Sequence, residues 1–207
     1  MMKPRLTLLL LAAALAGCKA LPDKPAQQTM YDFGVTTAAA SATAPARPAL
    51  LLPEVETSGV LETHALLYRL AYEDPHQLRP YAYARWSAPP GQLLRQRLRD
   101  VLGRERPVLD SAAAAALSRR GGAAPPVLRV ELEEFSHLFD SATASRGILR
   151  FRATLLENTG GGERLVAQRS FEVQRPAPSA DASGGVRALT AATDAAAQEL
   201  AAWLRER

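Results

Sequence analysis

The chain has 207 residues, with 25 Lys and Arg against 21 Asp and Glu, a formal net charge of +4 and a single cysteine. That length suits one domain with appended segments, on a prior of about 100–200 residues per domain. The near-balanced charge gives no support to a nucleic-acid role, and one cysteine excludes an intrachain disulfide and a thiolate zinc cluster.

The leader comes first. Lys3 and Arg5 precede an apolar run over residues 6–16, and the run closes on Leu15-Ala16-Gly17-Cys18. A positive n-region, a short apolar h-region and small residues before a cut make an export signal. The run is shorter than the ~20 apolar residues that a membrane-spanning helix needs. A cysteine directly after Leu-Ala-Gly is the lipobox of bacterial lipoproteins, so Cys18 is expected to carry an S-diacylglycerol and an N-acyl group and to begin the mature chain. Cleavage removes two of the 25 basic residues and leaves 23 against 21 acidic ones. With the sulfur acylated, no thiol nucleophile remains. Export also argues against nucleic acid as a partner.

Three regions are expected: a signal peptide over 1–17, a lipidated tether and linker over 18–48, and a domain over 49–207. The tether is polar and proline-bearing, and residues 36–49 are rich in Ala, Thr, Ser and Pro. Within it, Tyr31-Asp32-Phe33-Gly34-Val35 alternates apolar and polar and suggests a short strand over 31–35.

In the domain, residues 50–55 read as a strand ending beside Pro53, residues 64–70 as a second, and residues 79–83 as a third shortened by Pro80. Pro89-Pro90-Gly91 opens a helix, since proline loses nothing in the first helical turn. Leu94, Leu98, Val101 and Leu102 form its apolar stripe, and Gly103 ends it. Trp86 is expected to pack against that stripe. Residues 107–109 suggest a short strand, and Asp110 or Ser111 caps a weaker helix through Leu117. Leu128, Val130 and Leu132 alternate with Arg129, Glu131 and Glu133, and the phase slips at Glu134-Phe135, which suggests a bulge. Leu149, Phe151, Ala153 and Leu155 alternate with Arg150, Arg152 and Thr154. Paired antiparallel, these strands set Glu131 and Glu133 against Arg150 and Arg152, worth roughly 0.2–1 kcal/mol per pair. A third strand over 165–173 is expected to place Leu165, Ala167, Phe171 and Val173 on one side. Last, Val186, Leu189, Thr193, Ala196, Leu200 and Trp203 form the stripe of a long amphipathic helix covering the sheet.

No constellation for catalysis, metal or cofactor stands out, and the protein is expected not to be an enzyme. His64, His76 and His137 are isolated and read as surface or turn residues. Glu131, Glu133 and Glu134 read as a charge ladder rather than an acid–base pair. Gly160-Gly161-Gly162 lacks the helix and lysine of a phosphate loop and reads as a hairpin turn. Arg95, Arg97, Arg99, Arg104 and Arg106 crowd the first helix and its exit. They read as a solvated face, the rival reading being a patch for lipid headgroups or an acidic partner.

Taken together, Tyr31-Asp32-Phe33-Gly34, the Leu-rich strand ending at Pro53, Leu67-Tyr68-Arg69 and Arg85-Trp86-Ser87-Ala88-Pro89-Pro90 before a Leu-rich helix resemble the ABC-type transport auxiliary lipoprotein family, whose best-known members are PqiC-like. The resemblance runs from about Met30 to Leu204. It implies an α+β domain with a mixed, largely antiparallel sheet and two main helices packed on it. It also implies a non-enzymatic accessory of an intermembrane lipid transport system, with an MCE-domain protein and ABC transporter components as partners. Lys19 follows the cysteine where lipoproteins retained in the inner membrane carry Asp, so the anchor is expected in the outer membrane, facing the periplasm. The rival function is a lipoprotein activator of a peptidoglycan synthase, which the same tether would suit. A homo-oligomer is left open.

Overall fold

The computed structural model describes residues 27–35 and 47–207. Eight strands form one mixed sheet: β1 (Thr29–Tyr31), β2 (Leu50–Leu51), β3 (Ala65–Leu70), β4 (Arg79–Trp86), β5 (Val108–Leu109), β6 (Val127–Phe139), β7 (Ser145–Thr159) and β8 (Gly162–Pro176). Three α-helices join them: α1 (Pro90–Leu102), α2 (Ser111–Arg119) and α3 (Ala182–Arg205). The α+β class with a mixed sheet is as expected.

The long strands β6, β7 and β8 make an antiparallel meander. On its other edge β6 meets short parallel partners, β2 at Val127 and β3 at residues 137–139. Between those points the backbone of Glu56 bridges to Glu131. Residues 50–70 therefore run beside β6 with an excursion through a 3-10 turn at Gly59–Glu62. Beyond β3, β4 is antiparallel and β1 closes that edge in parallel with β4, Thr29 opposite Ala84.

Several boundaries differ from expectation. The short strand sits at Thr29–Tyr31, not 31–35, so part of the expected tether is sheet. β2 is only two residues, because Pro53 has no N–H to continue the ladder. β4 continues to Trp86, past the expected end at Tyr83. Pro90 does open α1, and the Asp110 carboxylate caps α2 by accepting the Ala113 N–H at 2.8 Å.

Two bulges decide which side chains face inward. In β6, Leu132 pairs with Phe151 and Glu134 with Arg150, so Glu133 is the extra residue. Before it Leu128, Val130 and Leu132 are buried; after it the alternating buried residues are Phe135, His137 and Phe139, with Ser136 buried between them. In β8, Ala167 pairs with Leu155 and Leu165 with Leu156, so Val166 is extra. Leu165 is consequently turned outward and 58% exposed, contrary to expectation, while Phe171 and Val173 are buried.

The core lies between the sheet and the two long helices. Leu94, Leu98 and Leu102 of α1 and Leu189, Ala192, Ala196 and Leu200 of α3 are buried with the inward residues of β6 and β7. Each fully buried leucine contributes roughly 2 kcal/mol of apolar transfer. Phe151 stacks on Phe171 at 5.0 Å, and Trp203 meets Phe171 edge-on at 5.9 Å, which fixes the C-terminal end of α3 over β8. Trp86 finds ring partners in Phe33 and Phe135, at 5.6 and 5.4 Å. α2 is peripheral, with Ala114 its one buried residue.

Candidate functional site

Cys18, the expected lipidation site, lies outside the described residues. The residues singled out within them divide into surface ladders, buried staples and one buried polar cluster.

The glutamates of β6 are a ladder. Glu131 faces Arg152 at 3.5 Å, and Glu133 takes Arg150 at 3.0 Å and Arg152 at 2.7 Å. Glu134 accepts from Ser136 Oγ at 2.5 Å and lies 3.3 Å from Arg69. Each carboxylate thus meets a guanidinium, as a charge ladder requires.

The arginines of α1 do not form the uniform solvated face expected. Arg97 is 8% exposed. Its guanidinium makes three contacts with two other parts of the fold: Asp194 of α3 at 2.8 Å, and the Phe33 carbonyl at 2.8 Å and ring at 5.7 Å. Arg95 donates to the carbonyls of Pro53 (2.9 Å) and Leu52 (3.3 Å) and pairs with Glu54 at 3.0 Å. The correction is physical: Arg97 stands one turn after Leu93 and Leu94, on the flank of the stripe that α3 and residues 32–34 cover. Only a fixed partner on each side lets a guanidinium stay there. Arg99 and Arg104 are exposed as expected. Beside α1 an open groove of about 850 Å³ is lined by Glu54, Gln92, Arg95, Gln96, Arg99 and Arg106, among others.

The histidines split. His64 and His76 are exposed. His137 is fully buried, which corrects the surface reading. The bulge at Glu133 is the cause, since it turns His137 from the outer phase of β6 to the inner one. His137 Nδ1 and the Tyr81 hydroxyl share a hydrogen bond of 2.9 Å, and Nε2 has no partner. Phe139 and Tyr81 flank the imidazole at centroid distances of 4.4 and 6.3 Å. Burial holds the imidazole neutral, pushing its pKa down to about 4 against a weaker opposing pull from Asp181. Burial also pushes the Tyr81 hydroxyl up, helped by Tyr68 and Asp181. A buried neutral imidazole beside a half-buried neutral phenol is a packing element.

Among the described residues no group of three His, Cys, Asp or Glu side chains is arranged to hold a metal ion, and no helix is long and apolar enough to cross a membrane.

Comparison with known proteins decides the family. The model of the ABC-type transport auxiliary lipoprotein component family matches residues 31–201. The chain belongs to that family. It is therefore a transport accessory lipoprotein, and membership implies membrane anchoring. Two solved structures share the fold. One is a Xanthomonas campestris protein of the DUF330 family, 21% identical, covering 85% of this chain and 94% of that one with a TM-score of 0.66. The other is an uncharacterized protein, 15% identical, covering 86% and 99% with a TM-score of 0.61. At these identities the likeness establishes the fold alone. No curated protein matches the chain.

Proposed function

We propose that this auxiliary lipoprotein is a non-enzymatic accessory of an intermembrane lipid transporter, anchored in the outer membrane through acylated Cys18 and docking an MCE-domain component in the periplasm. The observation that carries the reading is the family match over residues 31–201, in a chain whose Leu15-Ala16-Gly17-Cys18 run is a lipobox. Lys19 supports the outer membrane. The engaged groups support a non-enzymatic role: the β6 glutamates are tied up in a ladder, Arg95 and Arg97 in staples, and His137 in a buried pair with Tyr81.

The strand at Thr29–Tyr31 tightens the geometry of the anchor. Residues 18–28 alone separate the lipid from the sheet. Fully extended, eleven residues reach about 40 Å. The domain then works beside its membrane, and the partner comes to it. The docking surface in this reading is the outer edge of β8, which pairs only with β7 among the described strands. An open edge offers unpaired N–H and C=O groups to an added strand.

The test is a crosslinked pull-down from native envelopes. MCE-domain protein is expected with the wild-type chain and is expected to fall away when Cys18→Ser releases the protein from the outer membrane. Recovery of a peptidoglycan synthase without any MCE protein would replace the reading with the rival one. Mass spectrometry showing an unmodified Cys18 thiol would remove the anchor.

A further inference from the structure

A second hollow, of about 250 Å³, lies where β2 begins, β7 ends and α3 finishes. Its wall is apolar: Leu50, Leu155 and Leu204 are 1%, 8% and 3% exposed, and half-buried Val166 completes it. Its rim carries three guanidiniums, Arg47, Arg106 and Arg207, against one carboxylate, Glu157.

The rim is not internally neutral. Glu157 is held by Arg164, its cross-strand neighbour on β8. Glu105 takes Arg47 at 3.8 Å and Arg205 at 3.2 Å. Neither Arg106 nor Arg207 has an ion pair among the described residues; Arg207 lies 6.0 Å from the Trp203 ring centroid. Burial and the neighbouring Arg47 hold Arg106 below the usual guanidinium range, although nearby Glu105 pulls the other way. A partly buried guanidinium beside a second cation costs free energy that an anion reaching it from the hollow would offset.

We propose that this hollow binds a single-chain anionic amphiphile, with its carboxylate or phosphate between Arg106 and Arg207 and its alkyl chain against Leu155, Val166 and Leu204. Drug-sized pockets hold about 300–1,000 Å³, so this smaller space fits a head and one short chain, not the bulk of a two-chain lipid. Guanidiniums match carboxylate and phosphate oxygens in pairs, and the buried leucines give the chain a dry wall. The inference stands on this lining and not on the transport reading, so binding can fail while the MCE pull-down succeeds, and the reverse.

The experiment uses the full acylated chain in phosphatidylcholine nanodiscs, titrated with 11-bromoundecanoate while tryptophan fluorescence is followed. Trp203 is the reporter, and Trp203→Phe removes its signal. Saturable quenching is expected with the bromo acid, at least tenfold weaker with 11-bromoundecanol, and not displaced by equimolar inorganic phosphate. Arg106→Glu is expected to weaken the bromo acid at least tenfold. Arg207→Glu, at an exposed position, is expected to do the same, and it keeps the test open if Arg106→Glu does not fold. Equal quenching by the alcohol would reduce the hollow to a greasy surface. Displacement by phosphate would make it a plain anion site, and unchanged binding in Arg207→Glu would remove the charged head contact. Each of these three results overturns the proposal.

Discussion

Gly185 of α3 sits directly on the ring of His137 in β6: a methyl group at Gly185 would come within 2.4 Å of His137 Nδ1. The same crossing is tight on the next strand. A Cβ on Gly147, which pairs with His137 across β6 and β7, would lie 2.7 Å from the Leu189 backbone nitrogen. Two glycines, one on each side of the interface, thus bring the helix backbone down onto the sheet. The imidazole fills the space beside them.

Gly185→Ala therefore lowers stability by about 1–3 kcal/mol through overpacking, even though alanine outranks glycine in a helix by about 1 kcal/mol. The contact is specific to His137, so the loss couples to that side chain. In a double-mutant cycle by urea unfolding, Gly185→Ala combined with His137→Ala is expected to be more stable than the two single losses summed, by at least about 0.5 kcal/mol. Strict additivity would show that the methyl group clashes with something else.

His137 also gives stability a pH dependence. Its pKa stands at about 4 in the fold against 6.5 for the free imidazole. Below pH 6.5 the unfolded chain takes up a proton that the folded chain refuses, so stability is complete above about 6.5 and falls as the pH drops toward 4. The full loss is roughly 3 kcal/mol. Asp181 has the carboxylate sign at a lower pH: the Gly184 N–H and the Ser179 hydroxyl hold it below its usual range, so its contribution fades only below the ordinary Asp pKa. The measurement is unfolding free energy from pH 8 to 4. His137→Phe is expected to flatten the curve between 6.5 and 4, and an unchanged slope in that variant would assign the dependence elsewhere.

Much of this fold was legible from periodicity. The stripe Val186, Leu189, Thr193, Ala196, Leu200 and Trp203 is buried throughout, and the Glu131/Glu133 against Arg150/Arg152 ladder follows from two alternating strands. What periodicity carried poorly was everything beyond a bulge. The slip in β6 was visible at Glu134-Phe135, and the extra residue is Glu133, yet its consequence runs on to His137, where one displaced residue exchanges outside for inside. Leu165 was misplaced for the same reason, by a bulge at Val166 that no polar signal marks. Arg97 was illegible because its partners, Asp194 and the Phe33 carbonyl, are 97 and 64 residues away in sequence. The hollow at Arg106 and Arg207 was hidden by the same kind of distance, because four separate elements supply its lining.

Arg97 staples α1 to α3 and to residues 32–34, and its two partners predict unequal losses. Arg97→Ala removes the ion pair, the carbonyl bond and the contact over Phe33 together, and costs about 2–3 kcal/mol, in the range for buried hydrogen bonds to charged groups. Asp194→Asn leaves Arg97 bonded to the Phe33 carbonyl, and the half-exposed site admits water, so it costs about 1 kcal/mol. Denaturant unfolding of the two variants checks the order. A greater loss from Asp194→Asn would mean that the carbonyl contact contributes little.

The two helix caps should separate a structural helix from a peripheral one. Asp110 accepts the Ala113 N–H at 2.8 Å and Asp181 the Gly184 N–H at 2.7 Å. Chemically the caps are alike, and removing either costs its own helix about 1 kcal/mol. α3 buries thirteen residues against the sheet and α1, whereas α2 buries only Ala114. Fraying of α3 therefore exposes core, and Asp181→Ala is expected to lower the global unfolding free energy by about 1 kcal/mol. Fraying of α2 exposes little, so Asp110→Ala is expected to leave the global value nearly unchanged and to speed amide exchange only over Ser111–Arg119. Native-state hydrogen exchange resolves the two cases. Faster exchange throughout the sheet in Asp110→Ala would show that α2 belongs to the cooperative core after all.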